Sequence, residues 1–563
     1  MESRICQNCK RDFDIKSEDL DFYTKFEVPK PTFCPECRFI RRLVFRNERK
    51  MFKATDANTG KEIFSLFPNE SGRKIVTQEE WFSDDWDAQD YGREYDFSRP
   101  LFAQLFELDR EVPIYALNET AMVRSDYCGN ASYLKDCYLI FNSNRTETSM
   151  YGNAIDRSKD CIDCSNVGEC ERCYESFWLA NCYQCYFCIM CVESRNMWFS
   201  RDCLGCSDCF GCTNLRNQSY CIFNEKYSKE DYHRELAKMN LNTREGIVNA
   251  RANARAFWDT QPHKFHQGIR NQNSSGAYVS ECNNVVDSYL IRQSENLKYC
   301  QYMVVPGNKD CMDASIWGEN TELCYETSVC GDKAYNLRFS WDCWPNVRDS
   351  EYSIHLKSCS DCFGCVGLRN KQYCILNKQY SKEEYEALVP KIKKHMDEMP
   401  YIDAQGLVYK YGEFFPIELS MFGYNNTPAQ EQFSITKEEA IARNYPWIEV
   451  PKGNYAITKS ANDVPDSIED VDESITKEVF GCSLCGSAYR IQVNELLFLK
   501  NEHVPIPDMC PECRHKRRIQ DRLRPVLHHR VCDNGCGNEF DTAYPPETKN
   551  PVFCEACYQN LVA

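Results

Sequence analysis

Through the middle of the chain, short apolar bursts of Tyr, Phe, Ile and Val alternate with Ser, Asn, Asp and Gly. Asp-Cys or Asn-Cys recurs at Cys137, Cys161, Cys182 and Cys203, in steps of 24, 21 and 21 residues. Strand-sized runs punctuated by turn residues at a period of about 20 predict a β-solenoid, and free Cys suits its stacked interior as a small hydrophobe. Helical spacing appears after these runs. Ser228-Lys-Glu-Asp231 and Ser381-Lys-Glu-Glu384 each set an acid three residues after a capping Ser. Tyr232, Leu236 and Met239, and likewise Tyr385, Leu388 and Ile392, then share a face. These helices are expected to cap solenoid ends. A further helix is expected near 100–110.

The two helix signals belong to a duplication. CFGCTNLRNQSYCIFNEKYSKEDY (209–232) returns as CFGCVGLRNKQYCILNKQYSKEEY (362–385), 153 residues later. Upstream, Cys161 with Cys311 and Cys173-Tyr-Glu with Cys324-Tyr-Glu extend the match. The predicted organisation is a cysteine-pair module (1–50), an aromatic and acidic segment (51–127), solenoid copies at 128–258 and 277–399, and a connector (400–475). Two more modules follow at 476–526 and 527–563. The acidic run DVPDSIEDVDES (463–474) is expected to be a linker.

Composition narrows the chemistry. The chain has 563 residues, 37 of them Cys, and a net charge of −17. No run of 18 apolar residues suggests a membrane span, and MESRICQNCK has no apolar signal segment, so a cytoplasmic protein with reduced thiols and metal ligands is expected. The acidic balance excludes a general nucleic-acid coat and leaves local basic patches.

Four thiols recur at each end. Cys6-x2-Cys9 precedes Cys34-Pro-Glu-Cys37-Arg, and Cys482-x2-Cys485 precedes Cys510-Pro-Glu-Cys513-Arg, with the same 24-residue gap. Cys532-x3-Cys536 and Cys554-x2-Cys557 form a shorter set. Each quartet supplies the thiolates of one tetrahedral Zn²⁺ with no position left for substrate, so three structural sites are expected. Basic stretches follow two of them. Arg38, Arg41, Arg42 and Arg46, with Arg514, Lys516, Arg517 and Arg518, are candidate contacts to RNA, a ribosome or DNA, or to an acidic protein partner.

In the middle, Cys182, Cys185, Cys188 and Cys191, and Cys203, Cys206, Cys209 and Cys212, leave three options: structural thiols, additional zinc, or an Fe–S cluster. No catalytic motif is apparent among the G-x-S-x-G, H-E-x-x-H and P-loop patterns. His528 and His529 read as surface residues, and Asp84, Asp85 and Asp87 as a solvated loop.

The terminal modules resemble treble-clef zinc ribbons through Cys6, Cys9, Phe13, Phe22, Tyr23, Cys34, Pro35, Cys37 and Arg38, and through Cys482, Cys485, Tyr489, Cys510, Pro511, Cys513 and Arg514. That resemblance implies a helix starting at each second pair. CPECR (34–38), TGK (59–61), WFSDDWD (81–87), YGREYDFSRP (91–100), CFGCTNLRN (209–217), YSKEDY (227–232) and ITKEEA (435–440) together resemble a family of uncharacterised cysteine-rich bacterial proteins. The fold expected is multi-domain and mainly β: a duplicated, helix-capped, cysteine-rich solenoid flanked by small zinc modules. The function expected is a non-enzymatic zinc-binding scaffold or adaptor. A redox protein using the central thiols and a self-assembling solenoid are the alternatives.

Overall fold

The computed structural model describes residues 2–449 and 455–562. Its core is a β-solenoid whose coil is shorter than the spacing of Asp-Cys and Asn-Cys pairs suggests. Ser165 pairs in parallel with Phe177, and Ser207 with Ser219, so one coil takes 12 residues. In the second copy the step is 12 at Ser360–Gln372, 13 at Tyr335–Arg348 and 14 at Glu295–Lys309. The expected period of about 20 is therefore corrected to 12–14.

A smaller unit builds each coil. Every third residue takes the left-handed conformation: Tyr133, Asp136, Leu139, Asn142, Arg145, Thr148, Tyr151 and Ala154 all have φ between 46° and 56°. The chain turns a corner at each, and four three-residue sides close a 12-residue coil. Non-Gly residues resist this region, and Asn and Asp resist it least. Asp-Cys and Asn-Cys follow from that preference, because the residue after each corner points inward. Cys161, Cys164, Cys170 and Cys173 occupy such positions and are at most 2% exposed.

Hydrogen bonding offsets the backbone strain. Lys135 N–H donates to Thr146 O (3.1 Å) and Asp136 N–H to Val123 O (2.9 Å), so neighbouring coils above and below are both engaged. The inward residue's own N–H finds a serine of the preceding coil: Cys161 N–H donates to Ser149 Oγ (3.0 Å) and Cys188 N–H to Ser176 Oγ (3.1 Å). Four inward side chains must pack together in each coil, so Cys and Ser recur at these places, with a larger Leu134, Ile140, Ile155, Leu179 or Met197 at intervals.

The helices expected at the solenoid ends are present at Lys229–Ala237 and Lys382–Glu398. Ser228 and Ser381 each accept a hydrogen bond at the helix start, and Glu384 completes a capping box. Tyr232 and Tyr385 pack against Tyr220 and Tyr373 of the last coils. Met239 falls beyond the first cap, and a second helix, Arg244–Trp258, follows. The expected helix near 100–110 is Leu101–Glu111.

Two boundaries differ from expectation. Coil pairing begins at Glu119–Ala131 in the first copy and at Gln267–Ala277 in the second, upstream of 128 and 277. The stretch 463–474 is not a free linker: Val464, Ile468 and Val471 are buried in one core with Ile247 and Leu499. Hydrophobic residues spaced three or four apart anchor this acidic segment while its charges face outward.

Candidate metal centres and the surfaces that hold them

In the N-terminal module, strands Glu2–Ile5 and Asp12–Ile15 pair around Cys6 and Cys9. Cys34 then caps the helix Pro35–Val44, which begins with Pro and carries Cys37 in its first turn. Phe480–Gly481, Ala488–Tyr489 and the helix Pro511–Ile519 repeat the arrangement, as do His528–Val531, Glu539–Thr542 and the helix Glu555–Val562.

Each hairpin and helix start bring four sulfurs together. Cys6, Cys9, Cys34 and Cys37, then Cys482, Cys485, Cys510 and Cys513, then Cys532, Cys536, Cys554 and Cys557, lie within 4.8 Å of one another. Cys9–Cys34, Cys485–Cys510 and Cys536–Cys554 are 3.7, 3.8 and 3.6 Å apart. A tetrahedral ion with metal–sulfur bonds of about 2.3 Å requires sulfurs about 3.8 Å apart. Backbone and side-chain N–H groups face the sulfurs: Cys34 N–H lies 3.3 Å from Cys6 Sγ and Asn538 Nδ2 3.5 Å from Cys554 Sγ. The Asn538 contact heads the causes that hold the Cys554 thiol down at about 6. Donors of this kind and helix N-termini favour thiolate, the ligand form.

The basic residues do not face solvent as a phosphate-binding surface. Arg38, Arg41, Arg42 and Arg514 are at most 1% exposed, and Arg518 is 7% exposed. Arg38 and Arg42 grip Asp313 at 2.8 and 3.0 Å, and Arg41 grips Glu326 at 2.9 Å. Arg514 and Arg518 grip Asp163 at 2.9 and 3.4 Å, and Arg517 pairs with Glu175. The expectation that these five buried arginines contact nucleic acid is corrected: their acidic partner lies in the same chain. Arg46 is half-buried and donates to Asn142 Oδ1 at 2.7 Å. Arg517 is half-buried, and only Lys516 of the eight is exposed.

The two docks are equivalent and crossed. The N-terminal module sits on the second solenoid copy, and the module at 476–526 sits on the first. Arg42 Nε donates to Ser315 Oγ (2.9 Å) and Arg518 Nε to Ser165 Oγ (3.1 Å). Arg38 lies over the Tyr299 ring (5.5 Å) and Arg514 over Tyr151 (4.8 Å). Tyr151, Asp163, Glu175, Phe187 and Phe199 are successive corners of one column, twelve residues apart, all with positive φ. Tyr299, Asp313, Glu326, Phe339 and Tyr352 form the matching column at steps of 13–14. The sequence reading missed these columns, although Cys-Tyr-Glu in both copies already contains Glu175 and Glu326. A third acid closes each dock: Glu413 on Arg41 (2.9 Å) and Glu495 on Arg514 (2.8 Å). Burial pushes Glu175 up, but Arg517 and Arg251 outweigh it and hold the carboxyl at about 2.

The C-terminal module docks differently. Val552–Phe553 pairs in parallel with His263–Lys264 between the solenoid copies. Tyr558 donates to Asn214 Oδ1 at 2.9 Å, and the Tyr544 ring stacks on His263 at 4.7 Å. His529 is exposed and faces Glu539 and Asp541, as expected of a surface residue.

The central thiols are placed by the coil. Cys182, Cys185, Cys188 and Cys191 are the four inward positions of one turn, one per side. Cys188 Sγ–H donates to Tyr186 O at 3.3 Å, and Cys182 to Ala180 O at 3.4 Å. Serines do the same: Ser176 Oγ donates to Tyr174 O at 2.9 Å. Among the described residues, the three terminal quartets are the groups in which three or more ligand atoms meet within 4.8 Å.

A buried polar group lies beside the N-terminal dock. Tyr115 donates to Asp342 Oδ2 (3.0 Å), His355 Nδ1 lies 2.5 Å from the same oxygen, and Lys357 donates to Tyr115 (3.3 Å). Burial holds His355 down at about 4 and Lys357 at about 8. The adjoining cavity is about 20 Å³, room for about one water and too small for a substrate.

No family model matches the chain, and no curated protein or solved structure matches it. What stands is the class that fold and site define: a cysteine-rich β-solenoid protein with three four-cysteine clusters near its ends, each able to hold a metal ion. Among the described residues, no helix is long and apolar enough to cross a membrane.

Proposed function

We propose that the protein is a non-enzymatic, zinc-stabilised scaffold, in which three structural Zn²⁺ ions hold knuckles that clamp the solenoid copies. The observation that carries this reading is the pair of equivalent docks, where the helix that supplies two thiolates also supplies the arginines buried against solenoid acids. Thiolate quartets with sulfur separations near 3.7 Å favour Zn²⁺, which prefers tetrahedral sulfur. Metal binding fixes the helix start, and the helix aligns the arginines with Asp313 and Glu326, or with Asp163 and Glu175. Buried acids stripped of these partners are strongly unfavourable, so an empty module undoes its dock. Any macromolecular partner then meets the outer faces of the solenoid.

The test is elemental analysis of the full chain, combined with binding of fluorescent RNA and DNA oligonucleotides at low salt. Three zinc per chain and no salt-dependent oligonucleotide binding are expected. Stoichiometric iron, or oligonucleotide binding with a steep salt slope that Lys516→Ala reduces, would overturn the reading.

A further inference from the structure

Residues 52–82 repeat the hairpin and helix start of the quartets, with oxygen-bearing side chains at the four matching positions. Strands Phe52–Thr55 and Glu62–Ser65 repeat Glu2–Ile5 and Asp12–Ile15 residue for residue, shifted by 50. A short helix, Gln78–Phe82, starts after Thr77 as Pro35–Val44 starts after Cys34.

The backbone bonds agree one by one. In the N-terminal module Cys6 N–H donates to Arg11 O (2.9 Å), Lys10 N–H to Cys6 O (3.0 Å), and Gln7 N–H to Thr32 O (3.1 Å). At the matching places Asp56 N–H donates to Lys61 O (2.8 Å), Gly60 N–H to Asp56 O (2.9 Å), and Ala57 N–H to Ile75 O (2.8 Å). The other two quartets repeat the third bond as Ser483 to Asp508 (3.0 Å) and Asp533 to Val552 (3.1 Å). Lys10 and Gly60 take the same left-handed turn, with φ of 61° and 70°. Asp56, Thr59, Thr77 and Glu80 therefore stand where Cys6, Cys9, Cys34 and Cys37 stand.

Hydrogen bonds link these four positions to one another. Thr77 N–H donates to Asp56 Oδ2 (3.2 Å), as Cys34 N–H points at Cys6 Sγ (3.3 Å). Asp56 Oδ1 accepts from Asn58 N–H (3.1 Å), Thr59 N–H (2.6 Å) and Thr59 Oγ1–H (2.8 Å). Thr77 Oγ1–H donates to Glu80 Oε2 (3.0 Å), and Glu80 N–H returns to Thr77 Oγ1 (3.2 Å). Asp56 is 1% exposed, so this network replaces solvent around a buried carboxylate. Docking is inverted as well. Trp81 stands where Arg38 and Arg514 stand, and solenoid Arg369 reaches up to it, lying over Trp81 (5.4 Å) and Trp86 (5.3 Å). Arg369 donates to Ser83 O (2.9 Å) and Trp86 O (3.0 Å).

We infer that residues 52–82 are a metal-independent zinc-type knuckle, and that its four ligand positions form a latent Zn²⁺ site which cysteine would open. Thiolates at 56, 59, 77 and 80 would stand on the same backbone frame as the natural quartets. The experiment is the full chain with Asp56→Cys, Thr59→Cys, Thr77→Cys and Glu80→Cys together, grown with zinc and purified anaerobically. The metal-to-protein ratio is measured beside the parent, and Co²⁺ exchange reads thiolate charge transfer. One zinc per chain more than the parent, with matching Co²⁺ absorbance, is expected. A folded variant holding the parent's metal count would overturn the inference.

Hydrogen exchange on the parent keeps it falsifiable if the variant does not fold. After metal removal the Gly60 and Thr77 amides should stay protected while those of Lys10, Gly486 and Gly535 lose protection at least tenfold. Equal loss at Gly60 and Thr77 would contradict metal independence. The parent's own metal count tests the scaffold reading separately, because this inference concerns only the difference from it.

Discussion

At the ends of the chain, cysteines three or four residues apart lean toward one point; in the solenoid, cysteines three residues apart lean inward from different sides of a coil. Cys34 and Cys37 sit at a helix start opposite a hairpin that brings Cys6 and Cys9. Cys185 and Cys188 sit either side of a left-handed corner at Phe187, with their S–H groups turned to Tyr183 O and Tyr186 O. The same local spacing thus serves two physical ends. What separates them is the second pair: a metal site needs two pairs converging through a longer loop, whereas the coil needs only one inward-facing side chain at every third position.

This contrast can be broken at either region. The largest effect is expected from Cys37→Ser, which should remove one metal ion per chain and destabilise the protein by about 5 kcal/mol or more, read by elemental analysis and denaturant unfolding. Next is the dock on the helix that follows the second cysteine pair. Arg42→Leu leaves Asp313 buried with one arginine fewer and should cost about 3–5 kcal/mol, while the double change with Asp313→Leu should recover most of that loss.

The pH dependence of the other dock comes third. The Glu175 carboxyl is held at about 2 against an ordinary 4.5. Its contribution is therefore fully present above about 4.5 and is lost as pH falls toward 2. About 3 kcal/mol should disappear over that window in the parent but not in Glu175→Gln, measured by urea unfolding across pH. The smallest effect is expected at Cys188→Ser. Ser176 and Ser200 already occupy equivalent inward places, so about 1 kcal/mol is expected with metal content unchanged. Loss of a metal ion on Cys188→Ser would erase the distinction between the two regions.

The end quartets were readable because CPECR and the 24-residue gap repeat, and ligand geometry follows from spacing once two pairs are present. The solenoid and its capping helices were readable from apolar bursts and from Ser228 and Ser381. Its period was not, because only some inward places hold Cys. Ser149, Ile155 and Val167 fill others, so the visible Asp-Cys and Asn-Cys pairs skip corners, and their steps of 24 and 21 residues count three-residue sides and not whole coils. The arginines misled for a different reason. Sequence shows a charge but not its partner, and Asp313 lies 275 residues from Arg38. The fourth knuckle was hidden because its frame survives in backbone bonds while all four sulfurs are gone. Thr59-Gly60-Lys61, set against Cys9-Lys10-Arg11, is the trace that remains.

The most direct test of the division between converging and stacked sulfur is a metal count on the full chain with the end quartets intact, and again after Cys37→Ser, Cys513→Ser and Cys557→Ser are combined. The account predicts three zinc ions per chain in the first case and none in the second. Metal remaining in the triple variant, bound by the solenoid thiols, would contradict it.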